Sequence, residues 1–243
     1  IGSASDVADA IALAVTRGVD VINLSMRVPA QATVIQAAIE QAALAGVQVV
    51  VAAVTAVAAC AWMAITWMAA ASGIFRQWER TPPPFGFLVI AIVALGLAMA
   101  FSPFGTRITT AIPLWVLVLV QGFRLPLELA MHGMYSRGIM PVQMTYTGLN
   151  FDIVTGTLAI VVGILAAMRI VGRKIIAAWN ILGLALLINV VTVAILATPR
   201  FRYFGDDHLN VWVTYPPFVW LPAVMVLAAL AGHLLVFRAL RAH

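Results

Sequence analysis

The chain has 243 residues, of which 63 % are hydrophobic and 9 % charged, with a formal net charge of +5 and a mean hydropathy of +1.04. A soluble domain carries about 25 % charged residues, whereas charge is missing here from 41–75, 81–106, 175–199 and 208–237. Each gap exceeds the roughly 20 residues that take a helix across a bilayer, so an ordinary soluble fold is excluded and the lipid bilayer is the first expected partner. The 14 basic residues are scattered singly or in pairs, as membrane-flanking anchors are, and no nucleic-acid partner is expected. Cys60 is the single cysteine, which leaves no intrachain disulfide and no cysteine-based metal cage.

In chain order, residues 1–53 differ from the rest. Apolar residues recur at helical spacing from Val7 to Val15, and Gly18 ends that run. A short β-branched stretch, Val19 to Leu24, follows. The helical pattern returns over Ala30 to Leu44, and Val47 to Ala53 is again strand-like. The order helix, strand, helix, strand predicts a small incomplete α/β segment, too small to be stable alone. No signal peptide is expected, because no basic leader precedes an apolar core at Ile1.

Two runs in this segment, Gly18-Val19-Asp20-Val21-Ile22-Asn23-Leu24-Ser25 and Gly46-Val47-Gln48-Val49-Val50-Val51-Ala52-Ala53, resemble an internal part of subtilisin-like serine proteases. That resemblance implies a strand forming a substrate-pocket wall and a second strand leading to the Asn of the oxyanion hole. The chain departs from both patterns. Met26, Arg27 and Val28 stand where the family has Leu-Gly-Gly, and Val54 and Thr55 where it has Gly-Asn. The segment carrying the nucleophile is found nowhere downstream. With no nucleophile, base or oxyanion Asn, a triad has no parts to act with, so serine protease activity is not expected and no catalytic residue is assigned.

From Val54 onward six apolar spans are predicted, at 54–75, 85–103, 109–134, 151–170, 175–197 and 217–238. None alternates like a strand, so the fold class is mainly α: a polytopic transmembrane helical bundle of about six spans over 54–243, preceded by the α/β fragment 1–53. Trp78, Trp212, Tyr215 and Trp220 fall near span ends, where lipid-interface positions are expected. Basic residues favour the side holding Arg17, Arg27, Arg107, Arg169, Arg173, Lys174, Arg238 and Arg241 over that holding Arg76, Arg80, Arg137, Arg200 and Arg202. This predicts a bacterial inner-membrane protein with both termini in the cytoplasm.

The third span carries Gln121, Arg124, Glu128 and His132, spaced 3, 4 and 4 apart and therefore on one helical face. Charged groups at membrane depth usually face a bundle interior or a cavity. Arg124 and Glu128 form an i, i+4 pair near enough to exchange charge-assisted hydrogen bonds, and each is expected to bond the other or another buried polar group, facing protein rather than lipid. Pro126 lies between them and cannot donate to the carbonyl of Gly122, so a kink is expected there. Asn150 and Asp152 are expected to cap the fourth span, and Asn180, Asn189 and His233 to bond between helices. Gly156 and Gly163 are expected to let helices approach closely. Glu128 and His132 lack a third ligand at regular spacing, so neither a metal site nor a cofactor is expected. The linker from Pro199 to Pro216 is expected to be a solvated connection, with a lid over the stripe as the alternative.

Met131-His132-Gly133-Met134-Tyr135, Pro141 to Asp152, Ala178-Trp179-Asn180, Leu182-Gly183-Leu184 and Phe218-Val219-Trp220-Leu221-Pro222-Ala223 together resemble an uncharacterised family of bacterial multi-spanning membrane proteins over about residues 54–243. The resemblance implies no activity, ligand or partner. The stripe supports binding or translocation of a small solute or proton at Gln121, Arg124, Glu128, His132, Asn150 and Asp152. A structural or partner-binding membrane subunit and a membrane-embedded enzyme are the alternatives, and no particular protein partner is indicated.

Overall fold

A computed structural model describes residues 55–242, together with Asp9 and Leu13. The chain divides into two units, Ile1–Trp62 and Met63–His243. In the first unit Asp9 and Leu13 are helical, and helix α1 (Thr55–Ala71) begins. The remainder of the expected α/β fragment 1–53, its two strands included, lies outside the described residues.

The second unit is helical, with no strand among the described residues. Its helices are α2 (Pro84–Phe101), α3 (Pro103–Ala111), α4 (Leu114–Val120), α5 (Arg124–Tyr135), α6 (Asp152–Ala167), α7 (Arg173–Leu196) and α8 (Leu227–Ala242). A 3-10 turn joins α4 to α5, and a π-helical turn, Leu221–Val226, leads into α8. Four helical stretches are long and apolar enough to cross a membrane: Pro84–Phe101, Leu114–Tyr135, Arg173–Leu196 and Leu221–Arg241. α1 and α6 are apolar but shorter.

Punctuation residues explain where the observed boundaries differ from the expected ones. Residues 103–111 form a separate short helix, because Ser102 accepts from the amide of Gly105 at 3.4 Å and Pro103 starts a new helix. Pro113 then precedes α4, so the third apolar helix begins at Leu114 rather than at residue 109. α6 has 16 residues, about 24 Å at 1.5 Å per residue, against roughly 30 Å of hydrocarbon in a bilayer.

The segment that α6 lacks is a folded-back loop. Residues 136–151 turn back along α5, burying Met140, Gln143, Met144, Thr145 and Asn150. Buried non-helical backbone must find partners, and here side chains supply them. The Thr145 hydroxyl donates to the carbonyl of Val142 at 2.8 Å, Asn150 to that of Met144 at 3.1 Å, and Asn189 to that of Leu149 at 2.7 Å. The Asn150 amide closes the turn on Thr145 at 3.2 Å. A Cβ on Gly148 would stand 2.2 Å from the carbonyl oxygen of Val142, so this turn requires glycine.

Burial is distributed inside out relative to a soluble protein. Phe87, Ile90, Val120, Ile181 and Ile188 are more than half exposed. Arg124, Glu128, Asn150, Asp152, Asn180 and His233 are buried. Toward one end, Leu117, Val118, Ala159, Val162, Ile176, Trp179, Val236 and Ala239 form an apolar core. At that end Arg238 donates to the carbonyl of Ala100 at 2.6 Å, tying the end of α8 to the end of α2, and Arg173 reaches the carbonyl of Leu240. Trp212 departs from its expected interfacial position: it is buried against Phe218, ring centroids 5.4 Å apart. Trp220 packs on Trp67 at 4.9 Å and donates to the carbonyl of Met63 at 3.0 Å.

Candidate functional site

Arg124 sits at the middle of the continuous helix Leu114–Tyr135. Pro126 withholds a donor from the carbonyl of Gly122, and the backbone tightens into the 3-10 turn Gln121–Phe123 directly ahead of Arg124. α6 comes unusually close here. A Cβ on Gly156 would lie 2.5 Å from the amide nitrogen of Leu125 and 3.1 Å from Cβ of Arg124, so glycine is what lets α6 approach α5 at this level.

That approach brings Asp152 to Arg124. Nε of Arg124 donates to Oδ2 of Asp152 at 2.8 Å, and Nη2 pairs with the same oxygen. On its other side, Nη1 of Arg124 stands 2.8 Å from Nε2 of His233. A guanidinium has only donors, so this Nε2 must accept and the ring proton belongs on Nδ1, which donates to Oδ1 of Asn180 at 2.8 Å. The amide of Asn180 is oriented by its own Nδ2, which donates to the carbonyl of His233 at 3.1 Å. The imidazole is therefore held as the neutral Nδ1–H tautomer. Its ring also lies 5.5 Å from that of Trp179.

Glu128, one turn beyond Arg124, takes a different partner. Nδ2 of Asn150 is 2.9 Å from each of its carboxylate oxygens, while Oδ1 of Asn150 accepts from the amide of Asp152 at 3.1 Å. The result is an unbroken buried chain: Glu128, Asn150, Asp152, Arg124, His233, Asn180. It joins α5, the folded-back loop, α6, α8 and α7.

Of the two expected outcomes for Arg124 and Glu128, a bond to each other or to other buried polar groups, the geometry shows the second. Arg124 bonds across the bundle to Asp152 and His233, and Glu128 is drawn to the loop by Asn150. Tertiary partners outcompete the neighbour one turn away because a buried guanidinium needs several acceptors, and a single carboxylate on its own helix cannot supply them. Asn150 does satisfy an amide at the start of α6, but from one residue ahead of the N-cap position, which Phe151 occupies without a side-chain cap. Asp152 is the first helical residue and serves Arg124 rather than the backbone.

The other two stripe residues do not join the chain. Gln121 is buried, its amide lodged in the space that a Cβ on Gly232 would occupy, and its Oε1 has no hydrogen-bond partner. His132 stacks on Tyr146 at 4.6 Å near the end of α5. His233 and Asn180 bond each other between helices as expected, and His233 in addition meets Arg124, which Asn180 reaches only through the imidazole. Their sequence signal was the presence of a histidine and an asparagine inside otherwise uncharged spans. The 199–216 linker is divided: Arg202 and Asp206 form an exposed ion pair, whereas Asn210, Trp212, Val213 and Thr214 are buried. It reaches the folded-back loop, where Gln143 donates to the carbonyl of His208 at 2.6 Å.

Beside the chain lies a small cavity of about 30 Å³, lined by Phe123, Arg124, Glu128, Asn150, Asp152 and Met225 among others. That is room for one or two water-sized groups. Among the described residues, no group of three or more His, Cys, Asp and Glu is arranged to hold a metal ion. Chemically, the site holds two carboxyl groups against one guanidinium and a neutral imidazole. Compared with family models, curated proteins and solved structures, the chain shows no match.

Proposed function

We propose that the chain is an integral membrane protein that binds or passes a proton or small solute at the Arg124 cluster, with Glu128 as the exchanging group. The carrying observation is the charge count of the buried chain. Arg124 is engaged by Asp152 and His233, which leaves Glu128 with an amide donor and no ion pair of its own at bonding distance, Arg124 acting on it only across one helical turn. An uncompensated charge in such a place is costly, so a carboxyl there takes up a proton or a cation. The adjoining cavity is of the size for water or one small group, which gives the carboxyl room for an exchange partner.

In this reading the apolar outer surface meets lipid, and α1 and α6, the latter lengthened by the folded-back loop, complete six membrane-crossing segments. The basic end holding Arg173 and Arg238 then faces the cytoplasm, in keeping with the positive-inside tendency. The resemblance of residues 54–243 to uncharacterised bacterial membrane proteins accords with this placement and adds no activity.

Infrared spectroscopy of the protein in lipid, recorded from acid to alkaline pH, tests the role of Glu128. The expected result is a carboxyl C=O band that titrates in the wild type and is missing in Glu128→Gln. An unchanged band in the variant overturns the proposal. A second reading, a structural subunit, is favoured by one observation: the same chain of bonds ties together α5, α6, α7 and α8. It predicts no titrating band at Glu128 and a loss of stability only.

A further inference from the structure

A second space adjoins the polar cavity. α2 and α7 both pack against α8, and between them opens an apolar cleft of about 210 Å³ lined by Val89, Ile92, Leu184, Val191, Ala194 and Leu230 among others. Its rim reaches the outer surface, where Val93 is 44 % and Ile188 59 % exposed. Four residues, Leu187, Val190, Leu221 and Val226, line both the cleft and the polar cavity. Met144 makes a further link: it lines the cleft, and its carbonyl accepts from Asn150, which holds Glu128.

The wall between the two spaces has an irregular backbone. Leu221 and Val226 are the two ends of the π-helical turn, and Pro222 within it lines the cleft. Single π turns inside helices recur at functional sites, because the extra residue widens the helix and shifts side chains out of register. Here the turn supplies two of the four residues that part the spaces, so a guest that occupies both must pass between Leu187, Val190, Leu221 and Val226.

We propose that the solute of this site is a single-chain amphiphile with a small cationic head, a primary alkylamine in chemical class. The inference rests on the reading of Glu128 as the exchanging group. The hydrocarbon chain lies in the α2–α7 cleft, entered sideways from the outer apolar surface. The ammonium lies in the polar cavity against Glu128, whose carboxylate has no ion-pair partner at bonding distance. Both dimensions of the guest follow from the cavities: one space is lined by apolar residues apart from Thr192 and Asn210 and suits a hydrocarbon chain, and the other takes a head no larger than one or two waters. A phosphate or sugar head is excluded by size, and an anionic head by the excess carboxylate.

The test uses the full chain in phosphatidylcholine vesicles and a twelve-carbon primary amine bearing a diazirine near the tail end, with the matching alcohol as control. After photolysis, labelled peptides are mapped. The expected result is labelling concentrated on residues 89–93 and 184–195, competed by dodecylamine, and reduced at least five-fold by Ala194→Phe, which fills the cleft. Val191→Phe on the same wall serves if that variant does not fold. Glu128→Gln is expected to reduce amine labelling by a similar factor and to leave alcohol labelling unchanged. Labelling spread evenly over the exposed apolar faces overturns the proposal, and so does equal labelling by amine and alcohol. If either occurs while the infrared band of Glu128 persists, only the amphiphile is refuted. If the band is also missing, the exchanging role of Glu128 falls with it.

Discussion

α6 meets α5 and α2 faces α7 in opposite ways. At the first seam glycine removes the side-chain layer between backbones, and the polar groups that meet there bond one another in a defined order. At the second, branched and aromatic side chains line a space that neither helix fills. Close approach with directional bonds fixes one geometry, because a displaced donor leaves a buried group unpaired. Apolar walls around a gap carry no such penalty and can admit a guest. The difference teaches that this bundle concentrates its structural specificity in the seam and leaves adaptability to the cleft.

The largest effect expected is at the centre of the seam. Arg124→Met leaves Asp152 buried without its cation, and breaking one half of a buried pair costs about 3 to 5 kcal/mol. Adding Asp152→Leu should return most of that loss, whereas adding Glu128→Leu should not. Unfolding equilibria in mixed detergent for the single and double variants give the comparison. Rescue by Glu128→Leu instead would restore the local pair and break the seam as described.

Gly156→Ala should cost about 1 to 3 kcal/mol by overpacking against backbone that cannot move aside. Gly86→Ala, where a Cβ would meet nothing nearer than Cγ of Pro83 at 3.9 Å, is the control and should not destabilise. Equal thermal shifts for both would show that close approach is not what fixes the seam.

His233→Ala should cost about 1 to 3 kcal/mol, since it strands Nη1 of Arg124 and Oδ1 of Asn180. Asn180→Ala should give a smaller loss, because the histidine keeps its bond to Arg124. Reversal of that order, read from thermal unfolding, would move the weight of the network from Arg124 to α7. The smallest effect is expected outside both regions. Asp206→Asn removes the exposed ion pair with Arg202 and should alter stability by less than about 0.5 kcal/mol.

Much of this organisation is legible in the chain itself. Charge-free stretches longer than a bilayer crossing predict apolar helices, and four of the expected six segments are long enough to qualify. Polar residues at spacings of 3 and 4 predict one face, and Arg124 and Glu128 do turn inward from it. Gly156 was expected to permit close approach, and it stands against the backbone of α5. These readings succeed because periodicity, length and the missing side chain of a glycine are properties of the local chain.

What the tertiary structure alone decided is who bonds to whom. Sequence spacing offered Glu128 to Arg124, but spacing counts only neighbours on one helix. Asp152 lies 28 residues on and His233 109 residues on, and they reach Arg124 because the loop folds back and Gly156 lets α6 start beside the middle of α5. The two adjoining cavities were likewise beyond any single helix, since each is a space left among several. Local chemistry determined which residues had to be hidden; the meeting of distant helices determined what they would find there.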